Sequence, residues 1–340
     1  MSSEPVHREP SRAGTVPVRC HVVTGKGGTG KTTVAAALAL SLAADGGHVL
    51  LVETEGRQGI AQLFDTPPLP YEERRVAVAR GGGEVKALAI DVEAAFLEYL
   101  DMFYNLKRAG RALRKMGAID FATAIAPGLR DVLLTGKIKE AVTRRENGRL
   151  VYDAVVVDAP PTGRITRFLN VTNEVAGLAR SGPIRAQSDG VMAVFRSPQT
   201  AVHVVTLLED MPVQETADAI TELTAAGLPV GSVIVNMATE PLLPAASLAR
   251  TAEGRLTGAD LVPALTAAQL SGVDGLADGL VAEAVEHARR WIAQDALRGD
   301  VEALGRPLVE LPLSSSPIDL GCLFELADRL DGHLRDEVAA

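Results

Sequence analysis

The sequence predicts an α/β fold, a mostly parallel sheet flanked by helices, with a helical insertion subdomain. Three observations carry this. Short β-branched runs alternate with stretches of helical periodicity, as repeated βαβ units require. Hydrophobic residues make up 47% of the 340 residues but aromatics only 4%, so Ala, Val and Leu must build the core. Cores of that kind are usual for helices packed on a parallel sheet. A glycine-rich turn, "GKGGTGK" (25–31), separates the first strand-like run from the first helical one.

Taken in order, residues 1–17 are polar, contain proline and lack an apolar signal core, so they read as a flexible tail. "CHVVT" (20–24) is a buried strand, and after the glycine turn "TTVAAALALSLAADG" is an apolar helix that stops at Gly46–Gly47. Further strands are expected at "HVLLVE" (48–53), "VKALAID" (85–91), "YDAVVVDAPP" (152–161), "AVHVVTL" (201–207), "VGSVIVNM" (230–237) and "RPLVELPL" (306–313). A helix is expected after Pro212, between "AVHVVTL" and "VGSVIVNM". Residues 92–147 show mainly helical spacing, in "VEAAFLEYLDMFYNLKRAGRALRKMG" and in "PGLRDVLLTGKIKEAV", and read as a helical insertion. A second insertion, about 240–300, is rich in Ala, Leu and Asp. Residues 18–335 therefore form a single domain, with no internal repeat to suggest a duplicated one.

The bulk numbers exclude several classes. A net charge of -9 argues against general affinity for a nucleic acid backbone. Two cysteines, Cys20 and Cys322, offer neither a disulfide framework nor a spaced zinc pair, and point to a reducing cytosol. No apolar run approaches the length of about 18 residues that a membrane span needs. The expected location is the cytoplasm, with peripheral association at a membrane left open. The basic stretch "LKRAGRALRK" (106–115), with Lys107, Arg108, Arg111, Arg114 and Lys115, could meet an acidic partner or anionic headgroups. A solvated helix face is the simpler reading of it.

The glycine turn carries the chemistry. Gly25, Gly27, Gly28 and Gly30 let successive backbone N–H groups, with those of Thr29 and Thr33, converge on one anion. The helix that follows adds its positive N-terminus. Strand, loop and helix in that order, with Gly-x-x-x-x-Gly-Lys-Thr, make a phosphate-binding P-loop. In it Lys31 reaches the β- and γ-phosphates of ATP, and Thr32 gives its hydroxyl to Mg²⁺. Lys26 is then surplus, a second cation five residues early.

"GKGGTGKTT" resembles the deviant phosphate loop of the ATPases that include MinD, ParA, the nitrogenase iron protein and the ArsA arsenite-pump ATPase. In that class the early lysine crosses a dimer interface to the partner's phosphates, and the resemblance implies this role for Lys26. An added cation there would neutralise charge that develops in phosphoryl transfer. "DAPPTGRITRFL" (158–169) narrows the match to the ArsA and tail-anchored-protein-targeting members, through Asp158, Pro161, Thr162, Gly163, Arg167, Phe168 and Leu169. Asp158 would hold the Mg²⁺ shell through water, and Gly163 would let the backbone approach the γ-phosphate. Asn236 is implied as a reader of the adenine edge, with Pro312 and Leu313 in the late loop "LPLSSSPIDLG" (311–321) wrapping the base.

One segment departs from the family. Where "DPAHS/N" usually follows the second strand, this chain has "ETEGRQGIAQLFD" (53–65), which puts Glu55 at the water-orienting aspartate and Gln58 at the histidine. A glutamate can polarise water from one methylene further out. Gln58 and Glu53 are the alternatives for that role. Features of particular members are missing: the CxxC pair for zinc, the arsenite cysteines, the cluster cysteines, and a Met-rich client surface, since the chain has six Met in all. With one nucleotide domain, Lys26 needs a second subunit, identical or paralogous. The expected function is Mg²⁺-dependent ATP binding and hydrolysis driving a dimeric conformational switch on an unknown protein or membrane client. The alternatives are a low-turnover ATP-sensing regulatory subunit and a ParA/MinD-like positioning ATPase.

Overall fold

The computed structural model describes residues 17–104, 128–170 and 183–339. Residues 1–16 of the expected tail (1–17) and the basic stretch 106–115 lie outside the described residues. Ten strands and eleven helices are described. An eight-stranded sheet runs β10-β9-β8-β1-β7-β2-β4-β3. These strands are β1 (Cys20–Gly25), β2 (His48–Glu53), β3 (Arg74–Val78), β4 (Glu84–Ala89), β7 (Ala154–Asp158), β8 (Thr200–Thr206), β9 (Val230–Ala238) and β10 (Leu308–Pro312). All seven runs expected from the sequence lie in this sheet, and every neighbouring pair is parallel except β3 with β4. The sequence reading missed the edge strand β3 and a two-residue ribbon, β5 (Arg145–Glu146) with β6 (Arg149–Leu150).

Both faces of the central strands are buried, which is why they read as unbroken apolar runs. On one face Val22, Leu50, Val52, Val155, Val157, Val204 and Val235 form a core. It is closed by α4 (Leu129–Thr143), α5 (Thr162–Leu169), α6 (Pro183–Phe195) and α7 (Asp210–Ala225). On the other face Val23, Val49, Leu51, Val156, Val205 and Ile234 meet α1 (Lys31–Ala43) and α11 (Leu320–Ala339). Helix α1 packs against α11 as well as the sheet and is buried continuously from Val34 to Ser41. That double coverage explains why it is apolar all round. Helix α7 starts two residues before the expected point, with Pro212 in its first turn. The missing N–H costs nothing there, because first-turn amides have no intrahelical partner.

The segment read from the sequence as a first insertion (92–147) holds α3 (Val92–Tyr104) and α4, which pack on each other. The segment read as a second insertion (about 240–300) holds α8 (Ala245–Ala252), α9 (Gly258–Ala267) and the 30-residue α10 (Val273–Glu302), with both shorter helices packed on the long one. Helix α9 opens with a capping box between Thr257 and Asp260. The remaining short helix, α2 (Gly59–Leu63), follows β2.

The topology fixes where a ligand can sit. β1 lies between β8 and β7; the connection from β1 runs to β2 on one side of it and the connection from β7 runs to β8 on the other, so a crevice opens at its C-terminal end. The register sets Val23 of β1 and Glu53 of β2 on either side of Asp158 of β7.

Candidate active site

β1 ends in Gly25, and the loop 26–30 turns directly into α1. Two glycines here are dictated by space. A Cβ on Gly25 would lie 2.2 Å from the Val205 carbonyl oxygen. A Cβ on Gly30, whose φ is +84°, would lie 2.3 Å from Asn236 Nδ2. Gly28 also takes a left-handed φ of +90°, and it stands exposed with Gly27 at the loop tip. The loop closes on one carbonyl: Thr29 Oγ1 donates to Lys26 O at 2.9 Å, and Lys31 Nζ donates to the same oxygen at 3.1 Å.

Thr32, in the first turn of α1, donates from Oγ1 to Asp158 Oδ2 at 2.8 Å. Helix and strand end are thus joined across 126 residues by the two side chains that the sequence proposed as metal ligands. Burial pushes the Asp158 carboxyl up to about 6, and Glu53 and Glu55 push the same way, while the Thr32 hydroxyl and the Lys31 ammonium pull it down. Burial also lowers the Lys31 ammonium, against the attraction of Asp158 and Glu55. Gly28, Gly30, Lys31, Thr32, Thr33, Glu53, Glu55 and Asp158 line a cleft of about 290 Å³.

The segment after β2 sorts the three residues considered for water. Glu53, 2% exposed, accepts from the backbone N–H of Gln58 at 2.5 Å with Oε1 and from that of Ile60 at 3.3 Å with Oε2. Both its oxygens therefore hold the start of α2. Gln58 stands in a left-handed conformation with φ 58°. Its amide clamps Leu69, donating to the carbonyl at 3.1 Å and accepting from the N–H at 2.6 Å. Neither end of that side chain is turned to the cleft. Glu55 carries the third carboxylate, 3.4 Å from Arg57 Nη2, and both residues line the cleft.

Two carbonyls of the "DAPPTG" segment are pinned by threonines: Thr54 Oγ1 donates to Asp158 O at 2.8 Å and Thr24 Oγ1 to Pro160 O at 2.7 Å. Gly163 is exposed in the first turn of α5, and no atom stands within 4 Å of where a Cβ would be. Lys26 does not line the cleft that Lys31, Thr32 and Asp158 share; its Nζ lies 3.0 Å from Glu215 Oε1 on α7.

The residues assigned to the base do not share one cavity. Asn236 is 5% exposed on β9, and its Nδ2 donates to Thr29 O at 2.9 Å, so its amide braces the phosphate loop. Pro312 and Leu313 line a separate cleft of about 690 Å³ with Ser314, Asp319, Cys322 and Arg329. Arg57 and Glu215 were missed by the sequence reading. Arg57 follows Glu55 by two residues and was legible as a neighbouring charge, whereas Glu215 reaches Lys26 only through tertiary packing.

The parallel sheet, the glycine loop from β1 into α1 and the hydrogen bond from Thr32 to Asp158 at the foot of that loop set the class as a P-loop fold. Within that class the chain belongs to the anion-transporting ATPase (ArsA) family, whose family model matches residues 18–192. The full chain extends the likeness. ATPase BagA of Mycobacterium tuberculosis is 59% identical over 314 residues, which cover 92% of this chain and 92% of the relative. ATPase GET3 of Zygosaccharomyces rouxii is 26% identical over 253 residues, 63% of this chain and 70% of the relative. ATPase GET3 of Kluyveromyces lactis is 26% identical over 249 residues, with the same coverage. The chain is accordingly an enzyme that hydrolyses ATP. Among the described residues no helix is long and apolar enough to cross a membrane.

Proposed function

We propose that the protein is a Mg²⁺-dependent ATPase in which hydrolysis drives a switch between separated and closed subunits of a dimer. The observation that carries this is the position of Lys26. Its ammonium rests on Glu215, outside the cleft that its own loop forms, while Lys31 already serves that cleft. A cation so placed at the loop's flank suits the phosphates of a second subunit, identical or paralogous.

Within one subunit the backbone amides of Gly27 to Thr33 would cradle the phosphates at the N-terminus of α1, and Lys31 would leave the Lys26 carbonyl for them. Thr32 would hold a magnesium ion directly, and Asp158 would hold it through water. Both are hard oxygen donors of the kind magnesium takes. Held there with ATP, the ion would supply positive charge against the phosphates. Among the described residues no group of three His, Cys, Asp or Glu could hold a metal ion, so the other donors would be phosphate and water. Glu55 would orient the attacking water, since Glu53 and Gln58 are occupied by backbone groups. Gly163 would let the first turn of α5 approach the γ-phosphate and retreat on its release. Pro312 and Leu313 would flank the base. The protein would work in the cytoplasm, on a protein client or at a membrane surface, and without nucleic acid or zinc.

A low-turnover ATP sensor is the second reading, favoured by the Arg57 contact that draws on the Glu55 carboxylate. The test of nucleotide binding is thermal. Mg²⁺ and ATP should raise the melting temperature of the wild type and not of Lys31→Ala. Equal stabilisation of both would remove the assigned site. Measured turnover then divides the switch from the sensor.

A further inference from the structure

Two loops that would face the γ-phosphate are held by one carboxylate on α7. Glu215 Oε1 lies 3.0 Å from Lys26 Nζ, and Glu215 Oε2 accepts from Thr162 Oγ1 at 3.2 Å. Thr162 is the first residue of α5 and is 4% exposed. One turn along α5, Thr166 donates to Glu222 at 3.3 Å, and Glu222 lies two turns along α7 from Glu215. The two helices are therefore joined by a pair of Thr–Glu hydrogen bonds on facing surfaces. Only the first of the pair is shared with the phosphate loop.

We infer that Glu215 is the positioning residue that holds Lys26 in its own subunit until a partner's nucleotide competes for it, and that it links this release to the first turn of α5. The inference rests on the trans role of Lys26 proposed above. The segment ahead of α5 is pinned at Asp158 O and Pro160 O by Thr54 and Thr24. The rest of α5 stays on α7 through Thr166 and Glu222. Between these anchors, the Thr162 hydroxyl is the contact that senses whether Glu215 is neutralised. With Lys26 present, Glu215 divides its two oxygens between an ammonium and a hydroxyl. When the ammonium moves to the partner's phosphates, the carboxylate keeps Thr162 alone, next to the glycine that approaches the γ-phosphate. The ion pair is half-exposed, so it is weak enough to exchange for a triphosphate with several negative charges.

The test is ATPase rate against subunit concentration for the full chain. Glu215→Gln keeps the shape and leaves Thr162 an acceptor, but removes the charge that holds Lys26. It should lower the half-activating concentration about two- to fivefold for each ion pair released. Sedimentation with a non-hydrolysable ATP analogue should show the same shift in dimerisation. In a Lys26→Ala background, where activity is lost, the same change should leave the dimerisation seen by sedimentation unshifted. Glu215→Asp, which shortens the reach and keeps the charge, should fall between wild type and Glu215→Gln, and covers the case in which the glutamine variant does not fold. A half-activating concentration equal to or above that of wild type in the folded variants overturns the inference. The Lys26→Ala protein tells the two failures apart. If it loses activity as expected while Glu215→Gln behaves as wild type, only the role of Glu215 falls. If it keeps wild-type activity at every concentration, the trans reading falls and this inference with it.

Discussion

Replacing Asn236 by alanine asks whether that residue serves the base or the phosphate loop. Its amide is buried at 5% exposure and gives the Thr29 carbonyl a hydrogen bond at 2.9 Å. The alanine removes this donor and offers no other. A neutral hydrogen bond contributes about 1 kcal/mol net, and a buried acceptor left without its donor costs about 1–3 kcal/mol. The loss falls on the loop itself, because Thr29 also binds the Lys26 carbonyl, to which Lys31 is bonded. Urea unfolding without nucleotide should therefore show Asn236→Ala less stable by about 1–3 kcal/mol. Affinities for ATP, GTP and pyrophosphate should all fall together, by up to about tenfold for each 1.4 kcal/mol lost from the loop's order. Pyrophosphate is the informative ligand, since it has no base to read. If the variant keeps wild-type stability and pyrophosphate affinity but loses its preference for ATP over GTP, the bracing argument is wrong and Asn236 reads the base.

Glu55→Gln should bind ATP normally and hydrolyse it at least about tenfold more slowly, about 1.4 kcal/mol of barrier, in a steady-state phosphate-release assay; unchanged turnover would remove Glu55 from the water-orienting role. The stacked pair His21 and His203, with Nδ1 of the first 3.1 Å from Nε2 of the second, should make the fold acid-sensitive. Burial pushes His21 down to about 3 and His203 to about 4; the His203 ring further disfavours charge on His21, which the Val18 backbone opposes. Because the unfolded chain binds these protons near pH 6.5, stability should fall as pH drops below about 6.5, by roughly 4 kcal/mol between pH 7 and pH 5 for the two together. Urea titrations across that range should show a flatter acid limb for His21→Leu/His203→Leu, and an unchanged limb would refute the assignment.

The parallel sheet was legible because its central strands are buried on both faces, so "HVLLVE" and "AVVVD" could be little else. β3 was not, because "RRVAV" is an edge strand with two arginines at its start and half-exposed side chains after them. The glycine loop between β1 and α1 was legible, since its turn depends on local spacing. The pairing of Thr32 with Asp158 was legible only by resemblance, since 126 residues separate them. The neighbourhood of Glu55 was harder. Sequence alone left Glu53, Glu55 and Gln58 as competitors, and only the backbone path after β2 shows that Glu53 caps α2 while Gln58 clamps Leu69. Glu215 had no signal at all, because an acidic residue on an amphipathic helix reads as a solvated face until packing brings it to Lys26.

The central claim is that Lys26 acts on the partner's nucleotide, and subunit mixing tests it most directly. Lys26→Ala subunits and Glu55→Gln subunits should each be nearly inactive alone. In a mixed dimer, one site combines an intact Glu55 with the partner's intact Lys26, so an equal mixture should recover about a quarter of wild-type activity if subunits pair at random about a two-fold axis. If mixed dimers form, as native mass spectrometry can show, and activity stays at the level of the separate variants, Lys26 does not act in trans.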